Sequence, residues 1–145
     1  MFLPLPVLAH TIVVAPNTAV STLKQGIDRA INGDTILVKP GIYTSVNTLI
    51  NKELTILGQN KPVLDARFRD EVVTITSDHV KFDGFVIQNT KTGSMRDYAG
   101  IRLSSVEFVT ISNNILVNNF FGIYLSNCKH IEVLHNHITG SNNIE

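Results

Sequence analysis

The sequence predicts an all-β protein, a right-handed single-stranded parallel β-helix closed at its N-terminal end by an α-helical cap. Three observations predict it. The chain repeats itself at an offset of 22 residues: GIRLSSVEFVTISNNILVNN from Gly100 and GIYLSNCKHIEVLHNHITGS from Gly122 align without a gap. Within each copy, apolar and polar residues alternate over short runs such as FVTIS and HIEVL, which is the pattern of half-buried strands. Finally, three strands of about four residues plus their turns fill the period and leave no room for a helix. A period in this range means stacked units that bury their apolar faces only against their neighbours. Leucine-rich repeats share the period, but their L-x-x-L-x-L-x-x-N frame is absent.

The elements follow in chain order. MFLPLPVLA is apolar and too short to span a bilayer. Val7 and Ala9 suit the −3 and −1 positions of a signal-peptidase site, so residues 1–9 read as a truncated signal peptide, although the basic opening of a secretory signal is missing. Residues 10–33 read as an N-terminal strand and cap helix. TIVVAP (Thr11 to Pro16) supplies the strand. STLKQGIDRAING places Leu23, Ile27, Ala30 and Ile31 on one face at helical spacing. Thr22 and Gln25 have capping-box spacing, and Gly33 marks the stop. Such a helix would shield the open strand edges at the end of a solenoid.

Residues 34–145 read as four to five coils. DTILV (Asp34 to Val38) opens the first. ELTILG (Glu53 to Gly58) aligns with VKFDG (Val80 to Gly84), and PVLDA near Val63 is the second strand of that coil. VVTITSDHVKFDGFVIQNT, from Val72, is a degenerate copy of the later repeats that aligns if one residue is dropped near Asp78. The expected inward set is Ile36, Val38, Leu54, Ile56, Val80, Phe82, Val109, Ile111, Ile131 and Val133. Asn114 and Asn136 share a rung position, where stacked amides can bond along the axis. Nothing from Ser141 to Glu145 resembles a cap, so the chain reads as a fragment of a longer solenoid whose exposed edges would favour end-to-end self-association.

Lys plus Arg and Asp plus Glu number 12 each, so no net field recruits nucleic acid or an anionic membrane. No transmembrane segment is visible. The single cysteine, Cys128, excludes an internal disulfide. It matches Val106 of the preceding repeat and is expected to stack inward as a small apolar group.

The order of VSTLKQGIDRAINGDTILVKPGIY, LINKELTILGQNKPVLDA, VVTITSDHVKFDGFVIQNT and AGIRL resembles the N-terminal half of the NosD family, over nearly all of the chain from Val20. The later repeats alone are shared by many carbohydrate-binding and sugar-hydrolase β-helices. The resemblance implies a parallel β-helix of the pectate-lyase type. It also implies a non-catalytic periplasmic accessory protein, described as copper-binding, that assembles the copper centres of nitrous oxide reductase together with ABC transporter subunits. It assigns no ligand to any position here.

Candidate copper ligands therefore come from the residues. The histidines are His10, His79, His130, His135 and His137. His135 and His137 flank the inward Asn136, so both point outward. On a strand such a pair lies roughly 6–7 Å apart, and imidazole suits copper. His130 sits on the same coil, across its first strand, as a third candidate. Cys128, Met1 and Met95 complete no obvious site. The longest interruption, NTKTGSMRDYAG, is a polar loop with Met95, Arg96, Asp97 and Tyr98 at its tip. These four are the candidate partner-binding residues, the plainer reading being a solvated loop in which Arg96 and Asp97 pair locally. The alternative function is a polysaccharide-binding or polysaccharide-cleaving β-helix. That chemistry needs clustered carboxylates, and Asp65, Asp70, Asp83 and Asp97 fall at different rung positions.

Overall fold

The computed structural model describes residues 3–5, 8–44, 46–93 and 95–140. The expectations that touch Met1, Val7, Ser94 and residues 141–145 lie outside these residues. Alternating apolar runs form short strands that wind in coils. β1 (Thr11–Val14) precedes α1 (Leu23–Arg29). The first coil then holds β2 (Thr35–Val38), β3 (Ile42–Tyr43) and β4 (Thr48–Ile50). The second holds β5 (Thr55–Gly58), β6 (Val63–Asp65) and β7 (Val73–Ile75). The third holds β8 (Lys81–Asp83), β9 (Val86–Gln88) and β10 (Ala99–Ser104). The fourth holds β11 (Glu107–Ser112), β12 (Ile115–Val117) and β13 (Phe121–Ser126). The fifth opens with β14 (Lys129–Leu134) and β15 (His137–Thr139).

Equivalent strands stack in parallel into three sheets, ordered β1-β2-β5-β8-β11-β14, β3-β6-β9-β12-β15 and β4-β7-β10-β13. This is a parallel β-helix, and its turns take the right-handed sense that parallel crossovers adopt. The 22-residue register holds through the last two coils, where Leu103 pairs with Leu125, Ile111 with Val133 and Leu116 with Ile138. Between the third and fourth first-sheet strands the offset is 29 residues, against 28 between β7 and β10. The one-residue difference falls at the corner of Asp78, whose Oδ1 accepts from the Glu107 N–H at 2.9 Å. That is where the degenerate copy needed its dropped residue.

The core is one continuous column of inward side chains. Ile36, Val38, Leu54, Ile56, Val80, Phe82, Val109 and Ile111 are all buried as expected. Phe82 and Phe85 stack inside it at 4.5 Å. Each such side chain contributes roughly 1.5–3 kcal/mol by leaving water. Ile131 is only half-buried and Val133 is exposed, because no described coil lies beyond the fifth. Both keep the inward register, paired with Val109 and Ile111.

Two coils approach closely at paired glycines. A Cβ on Gly58 would lie 2.5 Å from the Gly84 carbonyl oxygen, and Gly84 itself has φ +92°. The alignment of ELTILG with VKFDG ends on this contact.

α1 lies over β1, β2 and β4. Its capping box forms as the spacing predicts: Thr22 accepts from the Gln25 N–H at 3.1 Å, and the Gln25 side chain accepts from the Thr22 N–H at 3.2 Å. Leu23, Ile27 and Ala30 are buried, but Ile31 is exposed. The reason is that the helix ends at Arg29, with Ala30 already extended as its C-cap, so Ile31 leaves the buried face. The Lys52 ammonium donates to the Ile27 and Ala30 carbonyls, both at 2.7 Å, and so ties the helix end to the first coil.

Candidate functional site

The amide ladder is the structural base of the site. Asn114 is buried; its Oδ1 accepts from the Phe85 N–H at 2.9 Å, and its Nδ2 donates to the Phe82 carbonyl at 3.3 Å and to Asn136 Oδ1 at 3.1 Å. Asn136 repeats the grip one coil on, donating to the Ile111 carbonyl at 2.8 Å and accepting from the Asn114 N–H at 3.0 Å. Each asparagine therefore clamps the turn of the coil before it. With Asn136 held inward, the side chains of His135 and His137 leave on the outside, and both are exposed.

The two histidines do not share a strand. His135 has φ +56° and sits at the corner between β14 and β15, while His137 is the first residue of β15. The same corner carries Gly84 (φ +92°) and Asn113 (φ +55°) in the preceding coils. A left-handed corner is thus a fixed feature of this rung, and the pair straddles it rather than lying along a strand face.

His130 is placed apart from that pair. About five residues of strand, roughly 16 Å, separate it from His135. Its ring packs on Phe108 at 4.9 Å and 6°, and Phe108 packs on His79 at 5.3 Å and 4°. All three have positive φ, at 54° for His79, 58° for Phe108 and 51° for His130. This outer stack was missed from sequence, although a signal exists: each ring residue directly precedes the first inward residue of its coil. His10 lies at the opposite end of the molecule, beside Asp34. Among the described residues, no group of three or more His, Cys, Asp or Glu converges as a metal cage. Cys128 is half-buried against the core, with its sulfur 3.3 Å from the Ser126 carbonyl oxygen.

The loop before β10 is pinned down. Arg96 does not pair with Asp97. It reaches the buried carboxylate of Glu71 at 2.8 Å, and Arg102 reaches the other oxygen at 2.7 Å, with the Ala99 N–H adding a third bond at 3.2 Å. A buried carboxylate is strongly disfavoured without partners, so Glu71 selects the long-range cation over the local acid pairing. Arg102 also donates to the Asp97 carbonyl. Tyr98 lies between Lys91, at 5.7 Å, and Arg96, at 5.5 Å, while Arg102 covers Tyr124 at 4.5 Å. Met95 stands fully exposed.

The four aspartates are spread out, and the two best-placed serve as ties between coils. Asp65 accepts from the Arg67 N–H, Gln88 and Asn89 at 2.8, 2.9 and 3.0 Å. Burial pushes its carboxyl up, but these donors outweigh burial and hold it below the ordinary carboxylate range. Burial raises Asp83 as well, and hydrogen bonds from Ser112 at 2.6 Å and Asn113 at 2.7 Å, with Lys81 and Lys61 nearby, bring it below. Asp70 accepts from the Glu71 N–H at 2.7 Å. The Asp97 side chain lies in the exposed loop.

Compared with known proteins, residues 27–145 match the profile of a family described as NosD, periplasmic copper-binding protein. No curated protein and no solved structure matches the chain.

Proposed function

The chain belongs to the NosD family, and from that membership we propose that it is a non-catalytic periplasmic scaffold that handles copper as cargo for the copper centres of nitrous oxide reductase, working with ABC transporter subunits. The observation that carries this reading is the extent of the family match, which begins in the last turn of the cap helix and runs through the coils to residue 145. No helix among the described residues is long and apolar enough to cross a membrane.

Within the chain, His135 with His137 is the proposed anchor for copper. The support is the locked Asn136 between them, which sets two imidazoles on the outside of one corner. Two donors leave the ion open to further ligands from a partner, which suits a protein that passes metal on. The pinned loop with Met95, Arg96, Asp97 and Tyr98 is the proposed partner contact, because Glu71 holds it in shape before any partner arrives and lowers the ordering cost of docking. Calorimetry with Cu(I) and Cu(II) on the wild type and on the His135→Ala/His137→Ala protein tests the anchor. Affinity should fall at least about tenfold in the variant. Equal affinity in both proteins removes the site from this corner. Cleavage of polygalacturonate or alginate by the purified chain would overturn the non-catalytic reading.

A further inference from the structure

Among the described residues, one buried polar side chain stands without a partner. Asp34, Glu71, Thr90, Ser112, Asn114 and Asn119 are buried, and the side chain of each takes part in a hydrogen bond. Thr48 is buried too, only 5% exposed, yet no hydrogen bond among the described residues engages its hydroxyl. Among those residues no fully enclosed side-chain polar atom lacks a partner, so this hydroxyl still borders solvent. That solvent is a groove of about 410 Å³ between α1 and β4, which Thr48 lines. Small-molecule sites occupy roughly 300–1,000 Å³.

The coil side of the groove is fixed before any ligand arrives. The Asn47 and Thr48 N–H groups donate to the Glu71 and Val72 carbonyls at 2.7 and 3.0 Å. Asn47 holds a left-handed turn at φ +51°, and its Oδ1 accepts from the Thr74 hydroxyl at 3.4 Å. Its amide NH₂ is thus the group left for a ligand. Thr48 keeps the inward register, paired with the buried Val73, and the next residue, Leu49, turns outward and is 47% exposed. Asn51 lines the groove with its side chain unengaged among the described residues, and Leu49 and Ile27 add apolar surface. The charges on the helix side cancel, because Lys24 Nζ lies 2.7 Å from Asp28 Oδ2. No net field selects an ion here.

We propose that this groove binds an uncharged sugar residue. Each sugar hydroxyl both donates and accepts, which matches the Thr48 hydroxyl and the Asn47 and Asn51 amides. The C–H face of the ring matches Leu49 and Ile27. An ion would find no surplus charge, and a wholly apolar ligand would enclose the Thr48 hydroxyl without giving it a partner, which is costly. The sugar is either free or one unit of a neutral glycan chain. Binding alone is inferred, with no bond broken, and the inference does not rest on copper handling.

The test titrates the ¹⁵N-labelled full chain with glucose, galactose, mannose, N-acetylglucosamine and cellohexaose. Saturable amide shifts centred on residues 22–28 and 46–51 are expected with at least one of them. Tighter binding of the hexaose than of any single sugar identifies a chain as the source, and the reverse order identifies a free sugar. Thr48→Val keeps the shape of the side chain and removes the hydroxyl. Affinity should fall at least about fivefold, while the urea midpoint stays level or rises, because the hydroxyl has no partner within the fold. Asn51→Ala should weaken binding at an unchanged midpoint. A lower midpoint for Thr48→Val, or unchanged affinity in both variants, would overturn the proposal. So would glucuronate bound as tightly as glucose. Shifts centred elsewhere, or none with any of the five sugars, would mean that the groove holds water only.

Discussion

The fourth and fifth coils carry nearly the same sequence in different surroundings. Ile111 is fully buried and its partner Val133 is 44% exposed; Leu116 is fully buried and its partner Ile138 is 52% exposed. The side chains are alike in size and in direction. What differs is that the fourth coil has a neighbour on both sides and the fifth has a described neighbour on one. Burial in a solenoid belongs to the stack, not to the repeat, and each coil is stabilised chiefly across its two interfaces. The comparison also separates roles. The first four coils are the scaffold, and the fifth carries His135 and His137, the proposed copper anchor, at its corner.

The largest expected effect comes from placing the same charge in both coils. Ile111→Asp buries a carboxylate with no partner and should cost more than about 4 kcal/mol, enough to unfold the chain. Val133→Asp, on the equivalent position of the fifth coil, should cost less than about 1 kcal/mol in this chain because water reaches the exposed side chain. Chemical denaturation of both variants checks this, and similar losses at the two positions would break the comparison.

A smaller contrast is expected in the amide ladder. Asn114→Ala leaves the Phe85 N–H buried without its partner and breaks the amide ladder, and should cost about 1–3 kcal/mol. Asn136→Ala should cost about 1 kcal/mol, since solvent can replace its bonds at the half-exposed end. Urea midpoints of the two variants measure the difference directly.

Much of this architecture was legible because a repeat states its own register. Once Gly100 and Gly122 align, the inward column, the stacked asparagines and the corner near Asp78 follow from counting. The cap helix was legible from local capping chemistry at Thr22 and Gln25, but its end was not: Ile31 fits the helical period, yet Ala30 turns extended so that the chain can reach Asp34 and enter β2. Interactions between coils of unequal length were hidden. Glu71 meets Arg96 and Arg102 across 25 and 31 residues, separations that no single period announces. Lys52 reaches back to α1 in the same manner. The outward direction of His135 and His137 followed from the inward Asn136, whereas the left-handed corner between β14 and β15 could be read only through the Gly84 and Asn113 of earlier coils.

Acid should act on the two regions unequally, with the smallest of the effects considered. Asp65 ties the second coil to the third through Gln88 and Asn89, and Asp83 ties the third to the fourth through Ser112 and Asn113. Asn114 and Asn136 tie the fourth to the fifth with neutral amides. Both carboxyls have depressed folded pKa values, so their contribution is present above the ordinary carboxylate range near about pH 4 and is lost as pH falls through the folded values. Hydrogen exchange followed from pH 5 to pH 2.5 should show protection declining first in β6, β8 and β9. The Asp65→Asn/Asp83→Asn protein should flatten that decline; an unchanged profile would contradict the assignment.

The measurement that bears most directly on the account is a map of where copper sits. One equivalent of Cu(II) added to the ¹⁵N-labelled chain broadens the amide resonances of residues close to the ion. Broadening centred on residues 133–139, with His10, His79 and the first four coils left sharp, is the result predicted for a scaffold whose fifth coil carries the metal. Broadening centred on His10 or on the His79–Phe108–His130 stack, with the 135–137 corner unaffected, would contradict it.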